Sequence, residues 1–336
     1  MDITRCIRAS GVALVAGATA TATLVVGLGP AGAAAPQDIA FVAQDTLVVI
    51  AGSGNDAVAL RLAPGAPGTI QVDFGDDGSS ELDADRGGFT RIVASLGNGN
   101  DQLRVDQANG AFADEAVLVD GGNGDDTLLG GDNVETFFGG NGDDGADGNR
   151  GADIAFLGAG DDSFRWDPGD GSDTVEGQRG VDTLDFNGAP GNENLQLVPN
   201  GQRSKLLRDA GNITMDMDGV ERLDLTTLGG IDTATIADMT GTDFRSVTVD
   251  LADPAGAPSA LDTVVVQGTG RPDVVAVTAD QGRVAVRGLQ TAVTVSGSEA
   301  SDRLQVDTLD GDDVVEVAPG VAALITTKVD LGAGEV

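Results

Sequence analysis

From Gly121 the chain repeats itself every nine residues. GGNGDDTLL, GGDNVETFF, GGNGDDGAD, GNRGADIAF and LGAGDDSFR follow one another, then PGDGSDTVE after Trp166 and Asp167, then GQRGVDTLD. A fixed period constrains architecture more than any local propensity, because each unit is one structural element that stacks on its neighbours. Six residues of Gly/Asp/Asn-rich turn precede three that read as strand. The eighth place holds Leu128, Phe137, Ala146, Ala155, Phe164, Val175 and Leu184. One unit is half a coil of a solenoid with one inward side chain, and eighteen residues complete the coil.

The sixth place is always acidic: Asp126, Glu135, Asp144, Asp153, Asp162, Asp173 and Asp182. In eighteen-residue coils Asp126 lies over Asp144, Asp144 over Asp162, Asp153 over Asp173 and Asp162 over Asp182. Neighbouring strands lie about 4.8 Å apart. Two bare carboxylates at that spacing repel by about 3.5 kcal/mol at an effective dielectric of 20. The intervening glycines add to the entropy cost of ordering. A divalent cation between stacked loops turns the repulsion into bridging and accepts the carbonyl oxygens that tight turns point inward. The chain has no His, and its one Cys is Cys6. Hard oxygen ligands without imidazole or thiolate select calcium, Ca2+, over zinc or copper.

GGNGDDTLL and GGNGDD closely resemble the repeat GGxGxDxUx (U a large apolar residue) of the RTX, or haemolysin-type, calcium-binding family. WDPGDGSD, Trp166–Asp173, resembles a variant found beside such repeats. The resemblance covers 121–188 and implies a right-handed parallel β-roll with Ca2+ between loops stacked on each side. It implies metal ligands at Gly121, Asn123, Asp126, Gly139, Asn141, Asp144, Asp153, Asp162, Asp173 and Asp182. The flanking NDAVALRL and GLQTAVTVSGSEASDRLQV look like secreted bacterial calcium-binding proteins that combine such repeats with β units. The unit at Gly130 departs from the pattern, with Asn133 in place of glycine and Glu135 in place of aspartate. Its site is expected to be weak, and those at Asp126/Asp144 and Asp144/Asp162 tightest. Turns ending at Asp56, Asp101 and Asp313 lack an identifiable stacking partner and read as ordinary turns.

Outside the repeats, groups such as TLVVI, VALRL, TVVV, RVAV and RLQV alternate between Gly, Asp and Asn punctuation. No helical period holds over ten residues beyond the leader. The expected fold is all-β: the β-roll flanked by strand-rich units, with one continuous β-solenoid as a variant of the same reading. The expected division is a signal peptide at 1–33, an N-terminal β unit at 34–120, the roll at 121–188 and a C-terminal strand-repeat region at 189–336. One β unit reads as used three times, around DAVALRL, NLQLV and DVVAV, and VAVTADQGRVAVRG has a hairpin's form.

The first residues order themselves as Arg5 and Arg8, an apolar run from Gly11 to Leu28, then the small residues AGAAA. That is the order of a secretory signal peptide and implies a secreted, extracellular protein with no membrane insertion after cleavage. Cleavage removes Asp2, Arg5 and Arg8, so the net charge moves from −35 to −36 (−35 less +1). Such a surface repels nucleic acid. Without His or a mature Cys, a Ser-His-Asp triad, a Cys nucleophile and the HExxH zinc motif are excluded. Acid-only glycoside chemistry remains, but there is no Tyr, one Trp, and only Lys205 and Lys328 to surround a sugar. The chain is therefore expected not to be an enzyme. It reads as a secreted calcium-binding protein that folds on export. The alternative is an adhesin or matrix module binding a cell-surface polysaccharide or protein on a calcium-stiffened scaffold.

Overall fold

A computed structural model describes residues 25–26, 38–112, 114–252 and 260–332. The expected signal peptide lies outside them, apart from Val25 and Val26. No helix among the described residues is long and apolar enough to cross a membrane. Three short 3-10 turns, Arg86–Gly88, Ala210–Asn212 and Val321–Ala323, interrupt what is otherwise strand and turn.

Alternation decides which side of each strand is buried. In Thr263–Gln267 (TVVVQ), Val264 and Val266 are buried while the residues between them are half-buried. Repeated along the chain, this two-residue period gives each strand one apolar face, and that face has to be covered. Among the described residues, two long sheets of 15 and 14 strands cover one another. Each nonapeptide gives a strand to one sheet and the next unit gives one to the other, as the half-coil reading requires. In the second sheet Leu128 registers with Ala146, Ala146 with Phe164 and Phe164 with Leu184, all in parallel. In the first, Phe137 registers with Ala155 and Ala155 with Val175. The molecule is a β-roll solenoid. Both sheets run on through the expected boundaries, and the strand Ala116–Asn123 itself straddles residue 120.

The core is the slot between the sheets. Large and small residues alternate along it: Phe137 packs beside Ala155, and Phe164 beside Ala146. This alternation lets a thin core reach native density with few aromatics. All seven eighth-place side chains are buried. Trp166 does more than cover the two-residue insertion. It is fully buried and stacks on Phe186 with ring centroids 4.2 Å apart, and its indole N–H donates to the Gly171 carbonyl at 2.8 Å.

Among the described residues, Ile39–Ala43 and Thr46–Ile50 pair antiparallel near the start of the roll, and three-stranded antiparallel meanders follow further along. Ala57–Ala63, Ala66–Phe74 and Leu82–Asp85 end one sheet. Asn194–Asn200, Arg203–Arg208 and Ile213–Asp218 lie inside the other. Val274–Asp280, Arg283–Arg287 and Ala292–Ser296 return to the first of these sheets. The hairpin expected from VAVTADQGRVAVRG forms, with Gln281 and Gly282 at φ 49° and 77° in its two-residue turn.

Candidate metal centre

The six-residue turns stack along the two edges of the roll. Gly122 and Gly124 take φ of 108° and 113°, and Gly140 and Gly142 repeat this at 119° and 124°. A Cβ on Gly142 would stand 2.3 Å from the Gly124 carbonyl oxygen, so successive turns touch through backbone alone.

Within this stack the sixth-place acids form rows. On one edge the Asp126 N–H donates to Asp144 Oδ1 at 2.8 Å, Asp144 N–H to Asp162 Oδ1 at 2.7 Å and Asp162 N–H to Asp182 Oδ1 at 2.9 Å. On the other edge Glu135 N–H donates to Asp153 Oδ1 at 2.7 Å and Asp153 N–H to Asp173 Oδ1 at 2.8 Å. Each pairing is the one expected from the eighteen-residue coil, lengthened to twenty where Trp166 and Asp167 intervene. Glu135 takes its place in the row despite the altered unit. Asp161 and Asp162 face opposite ways, the first exposed and the second buried.

The row is longer than the repeats. The Asp56 N–H donates to Asp101 Oδ1 and the Asp101 N–H to Asp126 Oδ1, both at 2.8 Å. At the far end the Asp182 N–H donates to Glu221 Oε2 at 2.8 Å. A further row links Glu193, Asp232, Asp262 and Asp302 by the same bond, and the Asp273 N–H donates to Asp313. The turns at Asp56, Asp101 and Asp313 thus do have stacking partners. The signal was the pattern of an acid two residues before an inward apolar one, as in GNGNDQL and GGIDTA. An intervening segment hid it by stretching the separation from Asp101 to Asp126 to 25 residues.

In Asp101 and in every sixth-place acid of the repeats except Asp173, one oxygen is accounted for and the other is not. Among the described residues, the buried atoms Asp101 Oδ2, Asp126 Oδ2, Glu135 Oε1, Asp144 Oδ2, Asp153 Oδ2, Asp162 Oδ2 and Asp182 Oδ2 have no hydrogen-bond partner. A buried acceptor left unmatched is costly. Three other buried acids supply the contrast. Glu115 receives Arg86 at 2.6 and 2.8 Å, Asp73 receives Arg61 at 2.5 Å, and Glu193 receives Arg208 Nε at 2.6 Å. None of these three has an orphaned oxygen. Where an arginine reaches the acid both oxygens are satisfied, and in the seven acids named above one oxygen stands bare.

Burial accordingly pushes the carboxyl groups of the rows upward, and neighbouring carboxylates add to it. Asp126 and Asp182 rise to about 6, Asp144, Glu135 and Asp173 to about 7, and Asp153 to about 9. Without a counter-ion these sites bind protons at higher pH than free carboxylates do.

The oxygens suit a hard cation. The point at which Gly121 would carry a Cβ lies 2.4 Å from Asp126 Oδ2 and 2.7 Å from the Gly139 carbonyl oxygen. The corresponding point at Gly139 lies 2.5 Å from Asp144 Oδ2 and 2.2 Å from the Leu157 carbonyl oxygen. Carboxylate and carbonyl oxygens therefore face one another in a cradle that only glycine leaves open, and such hard oxygens suit Ca2+. No group of three or more acidic, His or Cys side chains is placed among the described residues to hold an ion by side chains alone. An ion here would need backbone carbonyls as well. Asn123 and Asn141 stand differently: both are exposed, and the Asn141 amide donates to Asn123 Oδ1 at 2.8 Å, continuing to Asn98 at 2.9 Å. Their side chains form an outer ladder of their own.

No protein family matches the chain, and no curated protein matches it. Among solved structures, the crystal structure of extracellular lipase LipA from Serratia marcescens is similar at 13% identity and a TM-score of 0.20. The match covers 66% of this chain and 44% of the lipase, so the chain spans less than half of that protein's length. The expectation that the chain is not an enzyme is corrected on this comparison. The matched protein is a lipase, itself an enzyme. The lack of His excludes particular mechanisms, and acid-only chemistry had remained, so catalysis as a class was never excluded. At this TM-score the likeness assigns no activity to the chain.

Proposed function

We propose that this is a secreted calcium-binding protein whose RTX-type nonapeptide repeats take up Ca2+ between stacked loops. The observation that carries this reading is the contrast between acids. Glu115, Asp73 and Glu193, beside Arg86, Arg61 and Arg208, have no orphaned oxygen, while Asp126, Asp144, Asp153, Asp162 and Asp182 each keep one buried oxygen without a partner. Asp126, Asp144 and Asp162 would hold the ions on one edge, together with the Gly139 and Leu157 carbonyls, and Asp153 and Asp173 would do so on the other. The ion supplies charge neutralisation and oxygen coordination, and the chain supplies the preset turns. The leader-like order of 1–33 supports export, and extracellular calcium modules bind at about 0.1–1 mM, far above cytosolic calcium. The roll then folds once outside the cell.

Circular dichroism of the mature chain tests this. In EGTA the spectrum should lose part of its strand signal as the roll becomes only marginally stable, and millimolar calcium should restore it. An unchanged strand spectrum after exhaustive chelation, with no ion retained, would sink the reading.

A further inference from the structure

Two loops outside the nonapeptides reproduce their geometry with little of their sequence. Gly188–Glu193 reads GAPGNE and Thr227–Asp232 reads TLGGID. Leu228 and Gly230 take φ of 61° and 132°, positive at the same two places as Gly122 and Gly124. The Glu193 N–H donates to Asp232 Oδ1 at 2.8 Å, and the Ile231 N–H to Asn192 Oδ1 at 2.9 Å. These match the bonds from Asp126 to Asp144 and from Asp143 to Asp125 in the repeats. A Cβ on Gly230 would meet the Gly191 carbonyl oxygen at 2.7 Å, as one on Gly142 would meet that of Gly124.

The cradle is present too. The point at which Gly188 would carry a Cβ lies 2.5 Å from Glu193 Oε2, 2.9 Å from the Thr226 carbonyl oxygen and 3.0 Å from that of Thr227. Of these oxygens, Glu193 Oε2 also accepts the Ala189 N–H at 3.0 Å and the Thr226 carbonyl accepts the Gly188 N–H at 2.6 Å. Asp232, only 1% exposed, has an Oδ2 without any hydrogen-bond partner. One difference sets this pair of loops apart. The Arg208 guanidinium, itself buried, donates from Nε to Glu193 Oε1 at 2.6 Å and lies 5.1 Å from the centre of the Trp166 ring. It offsets one of the two negative charges that Glu193 and Asp232 bring.

We propose that the stacked loops 188–193 and 227–232 form a further divalent-cation site, with Glu193, Asp232 and the Thr226 and Thr227 carbonyls as ligands, and that Arg208 is a resident counter-ion that weakens it. The proposal rests on the reading that stacked loops hold calcium, but it concerns residues outside the repeats. The site belongs to a second, weaker class, because a fixed positive charge already answers part of its field. Lengthening its reach requires no new fold, only the loss of the arginine.

Equilibrium dialysis of the mature chain against calcium, with circular dichroism at saturating calcium to establish folding, tests this on three variants. Asp232→Asn keeps an Oδ1 acceptor for the Glu193 N–H and should lose one weakly held ion per chain. Asp144→Asn should lose ions from the tight class and leave the weak one intact. Arg208→Met should keep the ion count and tighten the weak class by roughly tenfold, since it removes a positive charge beside the ion. If Asp232→Asn binds as many ions as the wild type while Asp144→Asn binds fewer, this site is overturned and the repeat reading stands. A wild type that binds no calcium overturns both. Should Asp232→Asn fail to fold, Arg208→Met decides alone: a tightened weak class supports the site, and an unchanged one overturns it.

Discussion

A buried carboxylate is neutralised by a proton, by an arginine or by a metal ion, and its neighbours show which of these is within reach. Arg86 and Arg208 serve Glu115 and Glu193, whereas Asp144 has only the Asp126 N–H on one oxygen and nothing on the other. The two oxygens of Asp144 can be separated by substitution. Asp144→Ala removes the acceptor of a buried amide and should cost about 1–3 kcal/mol in chelator. Asp144→Asn keeps that acceptor and drops the charge, so it should cost little in chelator but lose the stabilisation that calcium gives the wild type. Urea unfolding of both variants with and without calcium checks this. Equal destabilisation of Asp144→Asn in the two conditions would show that its charge does not matter. At this scale the acids of the repeats were legible because their phase is strict. Asp232 was not, because Thr227 and Leu228 stand where glycines mark the turn, and Leu228 adopts φ of 61° despite its side chain.

The unit of this architecture is one turn and one short strand, and the turn is the demanding half. Glycine is required for different reasons at different places. Gly142, at φ 124°, faces the Gly124 carbonyl, and an added Cβ would stand 2.3 Å from that oxygen. Gly65 sits at φ 71° with nothing within 4 Å of where its Cβ would be. Gly65→Ala should therefore cost about 1 kcal/mol, the conformational term alone. Gly142→Ala should cost clearly more, about 2–4 kcal/mol, because the turns must also move apart. Thermal denaturation in saturating calcium compares them, and equal losses would show that contact between turns is not limiting. Strand identity and the Gln281–Gly282 hairpin were readable from alternation and turn chemistry. The placement of the meanders was not, because Arg203–Arg208 alternates equally well in a parallel or an antiparallel neighbourhood, and only its partners Asn194–Asn200 and Ile213–Asp218 decide.

For the whole molecule, the rows couple folding to pH through many groups at once. The chain carries a net charge of −35, and part of that charge is folded into the two edges of the roll. An unfolded Asp titrates near 3.9. In the folded, metal-free chain burial raises Asp126 to about 6, Asp144 and Asp232 to about 7 and Asp153 to about 9. Between pH 4 and pH 7 the folded state therefore binds more protons than the unfolded one, and stability must fall as pH rises through that window. The metal-free protein should melt at a higher temperature at pH 5 than at pH 8. Calcium competes with those protons for the same oxygens, so it should stabilise more at pH 8 than at pH 5 and flatten or reverse the trend. Melting curves at the two pH values, with chelator and with calcium, read all four states. A metal-free melting temperature that rises from pH 5 to pH 8 would mean that the row carboxylates are ionised without any ion beside them, and protons would then have no part in holding the edges of the roll together.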